Sequence, residues 1–139
     1  MKNLDNLVRL HQWRLDEKRR KVAELETLTG RLKAEIEQLE MNLKAEQQVA
    51  ARNTEAATGY GSYASAVIAR REKLRQSLAG LEIEMVQATD DVAAAFQEFK
   101  RFDLMKTRNE EKARQERKRV QQSEIDEAAL NVYRRATTS

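Results

Sequence analysis

The side chains with the widest chemical repertoire are few and scattered. His11 is the single imidazole of the 139-residue chain, and there is no cysteine. Acid–base work needs a titratable group within hydrogen-bond reach of its proton and, as a rule, a second group to orient it. Around His11 the sequence reads Leu10-His11-Gln12-Trp13, with no adjacent carboxylate or nucleophile, so His11 reads as a polar residue tolerated in a helix seam. The same counts leave no His/Cys metal site and no disulfide. The carboxylate pairs Asp90/Asp91 and Glu110/Glu111 read as solvated helix surface. Gly59-Tyr60-Gly61 lacks the following glycine and the preceding strand of a phosphate-cradling loop. No catalytic residue, cofactor or metal is expected.

The elements that would carry these residues are helices. Charged residues make up 35% of the chain and aromatic ones 5%, with no proline, a composition typical of coiled coils. An apolar stripe with alternating steps of three and four reads Val8, His11, Leu15, Lys18, Val22, Leu25, Thr29, Leu32, Ile36, Leu39, Leu43, Glu46, Ala50. A second reads Val67, Arg71, Leu74, Leu78, Leu81, Met85, Ala88, Val92, Ala95, Phe99, Phe102. Small Ala88 and Ala95 alternating with large Met85 and Phe99 suit interdigitation against Leu and Ile knobs. The glycines at 59–61 stand between the stripes. The expected fold is therefore all-α, two long helices in an antiparallel coiled-coil hairpin, the second longer. It forms one domain over 1–139, with helix 1 about 4–57, a turn about 58–61 and helix 2 about 62–135. Asn3 or Asp5 would cap the first helix, Gly59 would end it, and Ser62 would cap the second. Folding at residues 59–61 sets residue i opposite residue 120 − i, so Leu43 lies near Leu78 and Val22 near Phe99. Everything after about residue 117 is then without a partner in the chain.

The net charge of +3 conceals a polarity. Residues 24–98 carry 8 Lys/Arg and 13 Asp/Glu, while residues 1–23 with 99–139 carry 18 and 10. The expected open end is basic, with Arg14, Lys18, Arg19, Arg20 and Lys21 on one helix and Lys100, Arg101 and Lys106 on the other. Converging like charge invites an anionic partner surface; a solvated face with interspersed acids is the alternative. Nucleic acid fits less well, because no stacking aromatics lie among the arginines and Glu110, Glu111 and Glu116 interrupt them.

Some apolar residues exceed what one seam consumes. Leu4, Leu7 and Leu10 precede Trp13, which falls on the outward side when Val8, His11 and Leu15 face inward. Trp and clustered apolar surface are enriched at binding sites, so this group is a candidate docking surface, packing of Trp13 over Arg9 or Arg14 being the alternative. Past Met105 the stripe nearly vanishes until Ile125, Ala128, Ala129, Val132 and Tyr133, a second candidate docking element. Tyr60 and Tyr63 flank the expected turn, as loop packing or as a partner contact at the hairpin tip. No stretch approaches the ~20 apolar residues of a membrane span, and the opening Met1-Lys2-Asn3-Leu4-Asp5 carries no signal-peptide core. The expected compartment is the cytoplasm.

Three blocks together resemble the FliJ family of flagellar type III export proteins, with YscO-type proteins as more distant relatives. They are Leu7-Val8-Arg9-Leu10-His11 with Glu17-Lys18-Arg19-Arg20-Lys21-Val22-Ala23-Glu24-Leu25, the break Thr58-Gly59-Tyr60-Gly61-Ser62-Tyr63, and Lys112-Ala113-Arg114-Gln115-Glu116-Arg117-Lys118 with Glu124-Ile125-Asp126-Glu127 and Tyr133-Arg134-Arg135. The resemblance covers nearly the whole chain. It implies a non-enzymatic helical hairpin, similar to the paired terminal helices of a rotary ATPase γ subunit, that binds the hexameric export ATPase, an export gate membrane protein and export chaperones. The implied location is cytoplasmic, peripheral to the inner membrane at the flagellar base, with the isolated chain a monomer. Leu7, Leu10, Trp13, Arg14, Arg19, Arg20, Ile125, Val132 and Tyr133 would then engage the ATPase ring, and Tyr60 and Tyr63 a partner at the tip. Where some relatives carry aromatic residues on tip-side faces, residues 47–52 here are small and polar. Two other classes stand beside this one: a self-associating structural coiled coil, and a basic helical nucleic-acid binder.

Overall fold

A computed structural model describes residues 2–138. Every described residue except Asn53 is α-helical: α1 spans Lys2–Arg52 and α2 spans Thr54–Thr138. The two helices pack against each other, α2 being the longer. Each begins with an acid in its first turn, Asp5 and Glu55, and ends with a base in its last, Arg52 and Arg135, the polarity that opposes the helix dipole at both ends.

The turn is not at the glycines. Asn53 closes α1, its N–H donating to the Val49 carbonyl at 3.1 Å, and opens α2, its own carbonyl accepting from the Ala57 N–H at 3.0 Å. Its side-chain oxygen accepts from the Glu55 N–H at 3.0 Å, the hydrogen bond by which asparagine caps a helix N-terminus. Gly59 and Gly61 lie inside α2 with ordinary negative φ. The physical reason is that the apolar stripe of α2 does not start at Val67. It runs back in phase through Ala64, Tyr60 and Ala56, all half-buried, and that packing outweighs the ~1 kcal/mol each glycine costs inside a helix. Ser62 is therefore mid-helix rather than a cap. Asn3 and Asp5 lie within the first turns of α1, and α2 continues past residue 135 to Thr138.

The chain divides into two compact units, to each of which both helices contribute. In the unit formed by Arg14–Ala95, Leu15 and Leu25 of α1 and Val67, Leu74 and Ala88 of α2 are buried. Residues Glu17, Lys18 and Lys21 share a shallow groove with Ala88 and Asp91. Farther along α1, Glu35 pairs with Arg70 at 2.9 Å and Glu40 with Arg75 at 2.9 Å and Arg71 at 4.0 Å. The order is antiparallel. The register differs from folding at the glycines, which would set Glu40 opposite Gly80, because the reversal comes earlier. Lys18 and Glu46, expected in the seam, are exposed; the other seam positions of this unit are buried or half-buried.

The second unit joins Met1–Trp13 to Phe96–Ser139. Val8 is buried, and Leu4, His11, Phe99 and Phe102 are half-buried. Asp5 pairs with Lys106 at 3.4 Å, and the His11 and Phe102 rings stack with centroids 4.5 Å apart. Among the described residues beyond Lys106 only Ala113 is half-buried, and residues 114–138 are all exposed. That stretch holds its helical form through local pairs such as Glu111 with Arg114 at 2.6 Å, Glu116 with Arg119 at 2.7 Å and Gln122 with Asp126 at 3.0 Å, each a small increment to helix stability.

Candidate docking surfaces

No helix is long and apolar enough to cross a membrane among the described residues, and no group of three or more His, Cys, Asp or Glu is placed to hold a metal. The surfaces that remain are apolar patches and charge. Leu7, Leu10 and Trp13 step round the first turns of α1 from the flank of the seam to its outside, because Val8, His11 and Leu15 already take the inward positions at helical spacing. All three are exposed, Trp13 at 59%. The level of α2 fixed by Asp5 and Lys106 adds Met105, also exposed.

The second patch lies on the unpaired part of α2. Ile125 is 61% exposed, and Val132 and Tyr133 are each 66% exposed. Ile125 lies 19 residues beyond Lys106, on the order of 30 Å along the helix. The two patches expected to act together are therefore separate surfaces of the same unit.

Arg14, Arg19 and Arg20 belong to the other unit. Arg19 lies 3.9 Å from Asp16, and Arg20 hydrogen-bonds Glu17, so two of the three cations are partly neutralised one turn back. Arg20 also lines a shallow groove with Ala23, Thr27 and Leu28. Tyr60 is half-buried in the seam and Tyr63 is exposed, both on α2 beyond its first turn rather than at the reversal. On the unpaired helix, hydrogen bonding and charge from Arg119 hold the Glu116 carboxyl below its ordinary pKa, and Glu116 raises that of Arg119.

Sequence reasoning passed over several exposed apolar residues. Ile83, 74% exposed, and Val86 lie on the outer face of α2, and Leu104 stands beside Met105. Their signal was an apolar residue two places from a seam position, where helical spacing points it outward.

The described residues form an antiparallel helix pair with solvent-facing apolar patches and, past Lys106, a stretch of α2 that is almost wholly exposed. The family model described as Flagellar FliJ protein matches residues 1–138, and the chain belongs to the FliJ family. It is accordingly a component of the flagellar export apparatus. No curated protein and no solved structure gives a match.

Proposed function

We propose that this chain is a non-enzymatic docking component that binds and promotes the hexameric export ATPase and links it to the export gate, handing on export chaperones, at the cytoplasmic face of the inner membrane. The observation that carries the reading is the exposure of Trp13 with Leu7 and Leu10 on a helix that already fills its seam with Val8, His11 and Leu15. Apolar side chains left in water beside a packed seam favour a partner, and Trp is the residue type most enriched among strong interface contacts. The unpaired end of α2, with Ile125, Val132 and Tyr133, gives a second attachment, and Arg14, Arg19 and Arg20 favour an anionic rim. Tyr63, exposed on α2, offers a further partner contact. Promotion of the ATPase follows if the chain binds one conformation of the ring better than the others and so shifts their populations.

The test is a pulldown with the export ATPase, together with stimulation of its ATP hydrolysis by the full chain. Trp13→Ala and Tyr133→Ala, each at an exposed site, should leave helicity unchanged, and each should cut stimulation and binding by about tenfold or more. Stimulation equal to that of the parent chain would remove these residues from the reading, and absence of binding by the parent would end it.

A further inference from the structure

Between residues 121 and 135 the exposed part of α2 carries a pattern that is complementary to itself. Ile125, Ala128, Ala129 and Val132 fall on one stripe, rotated about 100° round the helix from Lys106 and so out of phase with the seam that α1 covers. Its ends are large and exposed, Ile125 and Val132, and its middle is small, Ala128 and Ala129. The flanking charge is divided: Glu124, Asp126 and Glu127 precede the middle, and Arg134 and Arg135 follow it. A helix that is acidic on one side of its midpoint and basic on the other matches a reversed copy of itself.

We infer that residues 121–135 of α2 pair antiparallel with the same segment of a second copy of this chain, the two-fold axis passing between Ala128 and Ala129. In that register Ile125 of each copy meets Val132 of the other, and the alanines at the centre let the backbones approach closely. Glu124 falls on the same flank as Arg135 of the other copy, and symmetry makes that ion pair twice. The isologous geometry closes on itself and stops at two copies. A parallel arrangement would instead set Glu124 level with Glu124 and Arg135 level with Arg135, on opposite flanks, and would lose the ion pair.

The contact is about three turns long, well short of the ~1,200 Å² buried in stable specific complexes. Pairing is therefore weak, and the dilute chain is monomeric. It also covers Ile125, Val132 and Tyr133, so at high local concentration the free chain hides this surface by mass action. The inference stands apart from the docking reading, since it requires no other protein.

The chain has no cysteine, which makes the test direct. In the full chain, Ala129→Cys places a thiol beside the two-fold axis and Gln121→Cys places one near the end of the contact. Mild oxidation should yield a disulfide-linked dimer from Ala129→Cys and little from Gln121→Cys. Equal yields from the two, or more from Gln121→Cys, would overturn the antiparallel register. In sedimentation over a concentration series, Glu124→Arg and Arg135→Glu should each weaken self-association about tenfold, and the double exchange should restore it. A parent chain that stays monomeric at millimolar concentration, or a double exchange as weak as either single, would overturn the inference; circular dichroism of each variant separates both from loss of the helix.

Discussion

The rings of His11 and Phe102 stack with centroids 4.5 Å apart and planes 12° from parallel, joining the start of α1 to α2. The Arg101 guanidinium lies over the same Phe102 ring, 5.0 Å from its centroid. An imidazole in an otherwise apolar stripe is thereby accommodated as an aromatic partner rather than as a reactive group. Its ring face meets Phe102, and the residue is half-buried.

A double-mutant cycle of His11→Ala and Phe102→Ala should show a coupling of about 0.5–1.5 kcal/mol, the range for aromatic pairs. The measurement is chemical denaturation of the four proteins. Additive effects would mean that the stack contributes nothing beyond buried area.

The reversal at Asn53 makes opposite forecasts for two kinds of substitution. Gly59→Ala and Gly61→Ala should each stabilise the chain by about 0.5–1 kcal/mol, since both glycines are helical and an added Cβ meets nothing within 4 Å. Asn53→Ala should cost about 1 kcal/mol through loss of the cap, and Asn53→Asp should recover most of it. Thermal melts followed at 222 nm decide between this and a turn at the glycines, for which the alanines would be the harmful changes.

Two polar atoms in the seam of the Arg14–Ala95 unit are buried without a hydrogen-bond partner, the Thr29 hydroxyl and the Arg71 Nε. Thr29→Val keeps the side-chain shape and removes the unsatisfied group, so it should raise stability by about 1 kcal/mol. Arg71→Leu should be neutral or stabilising by a similar amount, because Glu40 retains Arg75 at 2.9 Å. If urea midpoints fall for both variants, the two groups are satisfied in solution.

Much of this architecture is legible in the amino-acid order, and the exceptions have identifiable causes. All eleven seam residues read for α2, from Val67 to Phe102, are buried or half-buried, because steps of three and four leave a continuous stripe no other covered position. Lys18 and Glu46 kept the phase of the α1 stripe but not its burial, since a charged head costs too much free energy away from water. The turn was misplaced because glycine is read as a breaker, whereas Ala56, Tyr60 and Ala64 continue the stripe straight through it. Alanine and tyrosine give a weaker apolar signal than leucine. Trp13 could be placed outside the seam from spacing alone, but its distance from Ile125 required the register, which depends on where the chain reverses.

Glu116 provides a pH-dependent readout of the unpaired helix. Its carboxyl is held below the ordinary glutamate range by Arg119, so the pair's contribution is complete above the unfolded pKa and is lost as pH falls through the lowered folded value. In an NMR titration its midpoint should lie below the ordinary glutamate range, and Arg119→Ala should bring it up to that range. A midpoint indifferent to Arg119→Ala would show that the pair does not persist in solution.

The account rests on α1 lying antiparallel along α2 in the register set by Asp5 with Lys106 and His11 with Phe102, which leaves the end of α2 free to dock. Pulsed electron paramagnetic resonance on spin-labelled cysteines tests it directly, with one pair at Arg9 and Arg101 and a second at Arg9 and Glu111. The register predicts a narrow, short distance for the first pair and one several ångströms longer for the second, whose sites are offset by roughly 10 Å along the helix axis. A shorter distance to Glu111 than to Arg101, or broad long distances for both, would contradict it.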